Sequence, residues 1–204
     1  MNPNWQNFLA SCGARFEADE TSDFGDAPAE LQAAAVDTVL APLTLFGLIR
    51  ATGEDAALFL HNLFSNDVQH LGRDRAERCG FCSPKGRLLA DFLIWREDHD
   101  YLLQLSADIQ PAMLKKLGMY ILRSKVKLSD AGGDIVLLGI AGSGAATAVK
   151  ALGVALPAAP FDVVRFDGGT VIRLDERRSQ LAVRTDAAPQ IWETLASSAR
   201  PVGT

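Results

Sequence analysis

Apolar residues between positions 43 and 130 recur in short runs whose spacing alternates between strand and helix periodicity. Residues 43–51 have the apolar pattern of a strand, and residues 52–55 (Thr-Gly-Glu-Asp) predict a turn into a helix. On that helix Leu60 and Phe64 share one face because they are four positions apart. The elements predicted next are a strand at 79–83, an antiparallel hairpin of 87–96 with 100–106, a helix that starts after Asp108, and a strand at 124–128.

The chain from residue 131 onward repeats this alternation. Its predicted elements are, in order, a strand at 135–141, a turn at 142–144, a helix at 145–152, strands at 161–166, 170–175 and 180–185, and a helix at 189–197. Hairpins mixed with helices favour an α+β fold over a doubly wound parallel sheet. We therefore predict mixed or antiparallel sheets with packed helices in two interleaved lobes, residues 43–130 and 131–204.

The first 42 residues have a different composition. Residues 17–30 are rich in small side chains and carry a series of acids, which are Glu17, Asp19, Glu20, Asp23, Asp26 and Glu30. A stretch of this kind buries little apolar surface. We therefore expect residues 1–42 to form a partly mobile N-terminal segment and ordered structure to begin near Leu43.

Composition narrows the class of protein. Of 204 residues, 48% are hydrophobic, which is ample for a buried core, and the formal net charge of −5 argues against a broad nucleic-acid surface. No apolar run approaches the roughly 20 residues of a membrane helix, and the first ten residues lack the pattern of a secretory signal. Three cysteines do not suggest a disulfide framework. These features predict a cytoplasmic protein without a membrane partner.

Two short motifs are open to a chemical interpretation. Cys79 and Cys82 have the C-x-x-C spacing of redox sites and of half a zinc site, but they fall on a predicted strand and have no second pair. We predict structural thiols and no metal. The glycines at 142 and 144 follow a strand, but Thr147 stands where a dinucleotide-binding loop needs its third glycine, which favours a tight turn.

Asp91 is the first candidate for a functional side chain. On a strand, Arg87, Leu89, Asp91, Leu93 and Trp95 share one face, so this carboxylate is predicted to lie among large apolar neighbours. An unpaired carboxylate in such a place is costly. It therefore needs a local partner, or it faces a cleft where it holds a polar ligand or accepts a proton.

Cations and an aromatic side chain provide further candidates. Arg123, Lys125 and Lys127 alternate along a predicted strand, which indicates either a solvated face or a contact with an anion. Phe46 is either a core residue or a ring that stacks on a flat heterocycle. The three histidines have no evident Ser or Cys partner, so the residues alone do not establish catalysis.

Three blocks of sequence resemble a known family when they are taken in order. The first contains residues 48–56 (LIRATGEDA), 59–60 (FL) and 64–68 (FSNDV), the second is 83–91 (SPKGRLLAD), and the third is 120–126 (YILRSKV). This order is similar to that of the YgfZ and aminomethyltransferase superfamily. The likeness is good over residues 43–130 and loose over the remainder.

The resemblance implies an α+β protein with a central folate-binding cavity and tetrahydrofolate or a derivative as its cofactor. It further implies an accessory role in iron–sulfur cluster assembly or repair, and thereby in tRNA modification, with iron–sulfur assembly proteins or client enzymes as partners. The net charge of −5 separately predicts no direct contact with nucleic acid. The alternative is a folate-dependent aminomethyltransferase. The candidate folate-binding residues are Phe46, Asn66, Asp67, Lys85, Arg87, Asp91, Arg123 and Lys125.

Three differences from the family pattern affect this interpretation. Phe46 occupies the position of a folate-contacting aromatic residue that is commonly Trp. Ala90 and Asp91 stand where aminomethyltransferases carry two adjacent acids, which favours a YgfZ-type accessory protein over an enzyme. The YgfZ hallmark K-G-C-Y-x-G-Q-E is absent, so we expect the chain to stop before the hallmark and a C-terminal barrel.

Overall fold

The computed structural model describes residues 1–18 and 20–204, which form two compact units. One unit contains Met1–Leu45 together with Gly132–Thr204, and the other is the continuous stretch Phe46–Ala131. We refer to them as the split unit and the continuous unit. The combination of helices with antiparallel sheets confirms the predicted α+β class.

The continuous unit is built on a five-stranded antiparallel sheet in the order β5-β6-β7-β4-β8. Its elements are β4 (Phe46–Thr52), α3 (Ala56–Leu63), β5 (Ala76–Cys82), β6 (Leu88–Glu97), β7 (Asp100–Ser106), α4 (Gln110–Gly118) and β8 (Lys127–Asp130), with a short 3-10 turn at Val68–His70. Alternate residues of β6, namely Ala90, Phe92 and Ile94, pack with Phe59 and Leu60 of α3 in one apolar core. The predicted hairpin is confirmed as β6 and β7.

The split unit contains a six-stranded sheet in the order β10-β11-β12-β9-β3-β13 and a separate β1-β2 hairpin. Its elements are α1 (Pro3–Ser11), β1 (Arg15–Glu17), β2 (Glu20–Asp23), α2 (Ala27–Val36), β3 (Val39–Pro42), β9 (Ile135–Ala141), α5 (Ala145–Lys150), β10 (Val163–Phe166), β11 (Gly169–Arg173), β12 (Arg178–Arg184), α6 (Ala188–Ala196) and β13 (Arg200–Pro201). The pairs are antiparallel except for β13 with β3. Trp5 and Trp192 meet edge to face in the core, with ring centroids 5.9 Å apart.

The acidic stretch near the N-terminus is more structured than its composition indicates. Asp19 lies outside the described residues, but Glu20–Asp23 form β2, and Asp26 caps α2 by accepting a hydrogen bond from the Ala29 amide. Glu30 is buried, and the cost of burying its carboxylate is offset by hydrogen bonds that it accepts from the amides of Phe24, Asp26 and Gly203. Secondary structure therefore begins well before Leu43, contrary to expectation, while the mobility of this segment stays a prediction.

Candidate functional site

The eight residues predicted to bind a ligand all belong to the continuous unit, in several separate groups. Asn66 and Asp67 lie in the corner between α3 and β5, and Lys85 and Arg87 in or beside the turn between β5 and β6. Asp91 lies on β6, Phe46 opens β4, and Arg123 and Lys125 precede β8.

The corner after α3 holds Asn66 in a defined orientation. The Asn66 side chain donates to the Glu77 carboxylate at 2.9 Å and accepts from the Ser65 hydroxyl at 2.8 Å. Ser65 Oγ in turn accepts from the Gly80 amide at 2.9 Å, and the Ser65 amide donates to the Gly80 carbonyl at 3.0 Å. Since β5 fixes Glu77 and Gly80, this corner is a rigid and exposed group of polar atoms.

Asp67 lies between two imidazoles. His70 Nδ1 is 2.7 Å from one carboxylate oxygen, and His61 Nδ1 approaches the other to 3.2 Å without hydrogen-bond geometry. The side-chain hydrogen bond with His70 holds the pKa of the Asp67 carboxyl below its ordinary value. The arrangement keeps this carboxylate ionised and positioned at an exposed surface.

The sequence prediction included Asp67 but missed both histidines. The spacing of Asp67 and His70, three residues apart across a 3-10 turn, was the available local signal. His61 lies in the last turn of α3, and only the tertiary path of the corner brings it to Asp67. We therefore add His61 and His70 to the candidate site.

The turn between β5 and β6 presents two exposed cations. It is closed by the Ser83 amide donating to the Arg87 carbonyl at 2.8 Å and by the Gly86 amide donating to the Ser83 carbonyl at 2.9 Å. Gly86 adopts φ 73°, which favours glycine. Lys85 and Arg87 extend from this turn, and neither forms an ion pair with a described residue. Both side chains are accessible to an anion.

Asp91 shares its face of β6 with the buried Leu93 and Trp95, as predicted, but its own side chain is solvent-exposed, so the prediction that apolar neighbours surround the carboxylate was wrong. Its side chain is 75% exposed, and a carboxylate oxygen lies 3.8 Å from the Arg78 guanidinium. The reason is its pairing: Asp91 lies on the face of β6 opposite Ala90 and Phe92, and its partner on β5 is Gly80, which has no side chain to cover it.

The predicted strand at 124–128 begins later than expected, which separates its cations. β8 starts at Lys127, and residues 122–125 form a turn and bend, so Arg123, Lys125 and Lys127 do not share a strand face. The Lys125 amide donates to the Asp55 carboxylate at 2.7 Å, which holds the chain away from strand pairing at this point. The Lys125 ammonium is paired with Glu54 at 2.7 Å.

Arg123 lines a surface pocket of about 380 Å³ between α3 and this turn. The apolar walls of the pocket are Leu58, Phe59, Leu63 and Tyr120, and its polar lining comprises Asp55, Asn62, Arg123 and Ser124. Arg123 forms no ion pair with a described residue, so its guanidinium is available to a ligand.

Phe46 and the two cysteines of β5 lie in different environments. Phe46 is half-buried at the start of β4, where it pairs with Ser106 of β7. Cys79 is buried in the core of the continuous unit, and burial raises the pKa of its thiol to about 12, whereas Cys82 is exposed. Among the described residues no group of three or more His, Cys, Asp or Glu side chains is arranged to hold a metal ion.

Comparison with known proteins identifies the class to which this fold belongs. The chain belongs to the family described as the GCVT N-terminal domain, whose model matches residues 11–204. It is similar to the tRNA-modifying protein YgfZ of Yersinia pseudotuberculosis, with 28% identity over 166 residues, which are 78% of this chain and 50% of the relative. The YgfZ of Klebsiella pneumoniae has the same identity and coverage. The resemblance stated from the sequence is thus confirmed.

Solved structures agree on the fold. The glycine cleavage system aminomethyltransferase T of Bartonella henselae aligns with a TM-score of 0.83 at 17% identity, over 100% of this chain and 59% of that chain. Heterotetrameric sarcosine oxidase from Corynebacterium sp. U-96 aligns with a TM-score of 0.57 at 13% identity, over 97% of this chain and 93% of that chain. The chain spans about half the length of the curated relatives it matches. None of the helices in the described residues is long and apolar enough to span a membrane.

Proposed function

We propose that this chain binds tetrahydrofolate or a derivative and acts as a YgfZ-type accessory protein. In that role it supports iron–sulfur cluster assembly or repair and thereby tRNA modification. The observation that carries the proposal is the GCVT N-terminal domain match over residues 11–204, combined with 28% identity to proteins named YgfZ over most of the chain. The compartment we propose is the cytoplasm.

The folate contacts that we propose come from the continuous unit. Phe46 offers a half-buried ring for stacking on a flat heterocycle. Lys85 and Arg87 offer free cations for the carboxylates of a folate tail, and such charge-assisted contacts are stronger than neutral ones. Asn66, Asp67 and Asp91 offer oriented polar atoms. Lys125 is already paired with Glu54, and Arg123 lines the pocket beside α3, so the folate proposal does not include these two residues.

Aminomethyl transfer is the function that we do not propose. The second block carries Ala90 beside Asp91, where the family's transferases have two acids. Asp91 is exposed and near Arg78, which is a poor setting for a carboxylate that must orient a substrate out of water. The partners that we propose are iron–sulfur assembly proteins or client enzymes, without direct contact with nucleic acid or membrane.

Isothermal titration of tetrahydrofolate into the purified chain tests the binding proposal. We expect saturable binding that Phe46→Ala weakens by several-fold, up to roughly tenfold, because a stacking contact of this size is lost. Phe8→Ala is the matched control, since Phe8 is also half-buried but lies in the split unit. Circular dichroism confirms that both variants are folded. Absence of binding by the unmodified chain would remove folate from the proposal.

Complementation tests the cellular role separately. The chain is expressed in a bacterial strain that lacks its own YgfZ-type protein, and modified tRNA nucleosides are measured by mass spectrometry beside the activity of an iron–sulfur enzyme. We expect both to recover, and to recover less with Phe46→Ala than with Phe8→Ala. If the chain binds tetrahydrofolate but restores neither the modified nucleosides nor the enzyme activity, the accessory role is rejected and only folate binding remains proposed.

A further inference from the structure

Exposed apolar side chains are concentrated around the pocket that Arg123 lines. Eight large hydrophobic residues are exposed among the described residues, and four of them lie on α3 or at the end of α4 and the turn that follows: Leu58, Met119, Tyr120 and Leu122. Leu122 is 92% exposed, and it lies beside the other exposed apolar residues of this turn, Met119 and Tyr120. Such a concentration is typical of an interaction site. We name these four residues, together with Arg123 and the pocket, the 119–123 surface.

The turn that carries this surface is held in place by its neighbours. The Tyr120 ring meets Phe81 of β5 edge to face, with centroids 6.0 Å apart. On the other side of the turn, the Lys125 amide and ammonium are fixed by Asp55 and Glu54. Leu122 therefore lies on a turn that is fixed by contacts on both sides. Because the turn is already ordered, less conformational entropy is lost when a partner binds.

The charge of the surrounding segment has one sign. Residues 109–128 contain Lys115, Lys116, Arg123, Lys125 and Lys127 and no Asp or Glu, although the whole chain carries a net charge of −5. The acids nearest this segment are Glu54, which is paired with the Lys125 ammonium, and Asp55, which lines the pocket and accepts from the Lys125 amide. Lys115, Lys116 and Arg123 form no ion pair with a described residue. A surface that combines unpaired cations with exposed apolar side chains is complementary to a partner that combines acids with apolar side chains.

The shape of the surface favours a protein segment over other anionic partners. The pocket of about 380 Å³ has the size to take an apolar side chain, with Arg123 at its border to meet an adjacent carboxylate. A membrane-surface anchor presents an apolar face along a helix, whereas Met119, Tyr120 and Leu122 follow the last residue of α4. Single-stranded nucleic acid needs several aromatic rings for stacking, and this surface has Tyr120.

We propose that the 119–123 surface docks an acidic segment of a partner protein, which inserts a large apolar side chain into the pocket beside Arg123. The proposal does not depend on folate binding, because the surface shares no residue with the proposed folate contacts. It concerns one occupant, an extended or helical peptide whose acids flank a Leu, Phe or Trp.

An array of short synthetic peptides, followed by fluorescence anisotropy in solution, tests this docking. The peptides carry one central Leu, Phe or Trp between Asp and Glu residues, and the comparison peptides replace the central residue by Ser or the acids by Asn and Gln. We expect the chain to select acidic peptides with the apolar centre, and to bind the best of them less tightly at high salt. We expect Leu122→Ser and Arg123→Glu each to weaken that binding roughly tenfold.

Matched variants distinguish specific docking at the 119–123 surface from non-specific binding of the peptide. Leu31→Ser removes a leucine that is 77% exposed in the split unit, and Lys150→Glu reverses an exposed cation on α5. Both should bind the peptide like the unmodified chain, and all four variants should titrate tetrahydrofolate alike. The proposal is overturned if no peptide of the array binds, or if the controls weaken binding as much as Leu122→Ser. It is also overturned if Leu122 is needed instead for binding anionic vesicles, for binding single-stranded DNA or for self-association in sedimentation.

Discussion

Cys79 and Cys82 show how far two nearby side chains on one strand can differ. Cys79 faces the core of the continuous unit beside α3, and Cys82, at the end of β5, faces solvent. Burial disfavours the charged form of a thiol, so the pKa of Cys79 is raised to about 12 from an ordinary 9.0. Glu77, on the same strand, adds a smaller effect of the same sign.

This difference predicts how stability depends on pH. The folded chain keeps Cys79 protonated where the unfolded chain ionises it, so unfolding releases a proton and rising pH favours the unfolded chain. The contribution is fully present below pH 9 and is lost as the pH rises towards about 12. We expect the free energy of unfolding, measured with urea across this range, to fall less steeply in Cys79→Ala than in the unmodified chain. Cys82→Ala should keep the original slope, and equal slopes in all three proteins would contradict the assignment.

At the scale of residues, sequence patterns predicted which element a residue belongs to better than they predicted its burial and its contacts. Asp67 was identified as a candidate, but its partner His61 reaches it only through the path of the corner after α3. Asp91 was placed on the correct strand, but its burial was wrong because the strand opposite it carries Gly80, and strand pairing is not visible in a local pattern.

The turn between β4 and α3 depends on a single glycine. Gly53 has φ 118°, and a Cβ atom at this position would collide with the carbonyl of Lys125, the residue that also donates its amide to Asp55. One residue therefore permits both the left-handed turn and the close approach of the segment before β8.

Alanine substitutions at two glycines test this role. We expect Gly53→Ala to lower the free energy of unfolding by at least about 1–2 kcal/mol, because a non-glycine residue is strained in the left-handed region and the collision adds to that cost. Gly118→Ala is the control: Gly118 ends α4 without a left-handed φ and has no atom near the added Cβ, so a change between zero and a gain of about 1 kcal/mol is expected. Urea denaturation of both variants gives the comparison, and similar values for the two would reject the role of Gly53.

At the scale of elements, a strand or helix was predicted accurately where the residues that determine it lie within the element itself. The strand at 135–141 and the β6–β7 hairpin were predicted well because their apolar pattern and turn residues lie within the element. The strand at 124–128 was predicted to begin too early. The Lys125 amide donates to Asp55, which lies 70 residues earlier in the chain, instead of to a neighbouring strand. β13 was missed because two residues carry no periodicity.

At the scale of the whole molecule, the split unit depends on contacts between distant parts of the chain. β3 pairs with β9 on one side and with β13 on the other, and both partners come after residue 131. The continuous unit, in contrast, has the pairing partners of β4 to β8 within Phe46–Ala131. The α+β class was predictable from the order of elements. The pairing of β3 with β9, across some ninety intervening residues, was not predictable, because no local sequence pattern indicates it.

A chain that ends at Ala131 tests this difference. We expect hydrogen exchange to show protected amides in β6 and β7 of the shortened chain, because their hairpin partners are present, and fast exchange at Val39, Leu40 and Ala41. The full chain should protect both groups of amides. Protection of β3 in the shortened chain would show that it has other partners, and loss of protection in β6 and β7 would show that the continuous unit needs the rest of the chain.

The split arrangement also has a consequence during translation. Residues 1–45 leave the ribosome first, but β3 has no strand to pair with until residues 135–141 have emerged, and its second partner, Arg200–Pro201, emerges later still. For that interval the nascent segment carries an unpaired strand edge, which is a hazard for aggregation. The acids of residues 17–30 place net negative charge ahead of this strand in the chain, and like charges on neighbouring nascent chains repel each other.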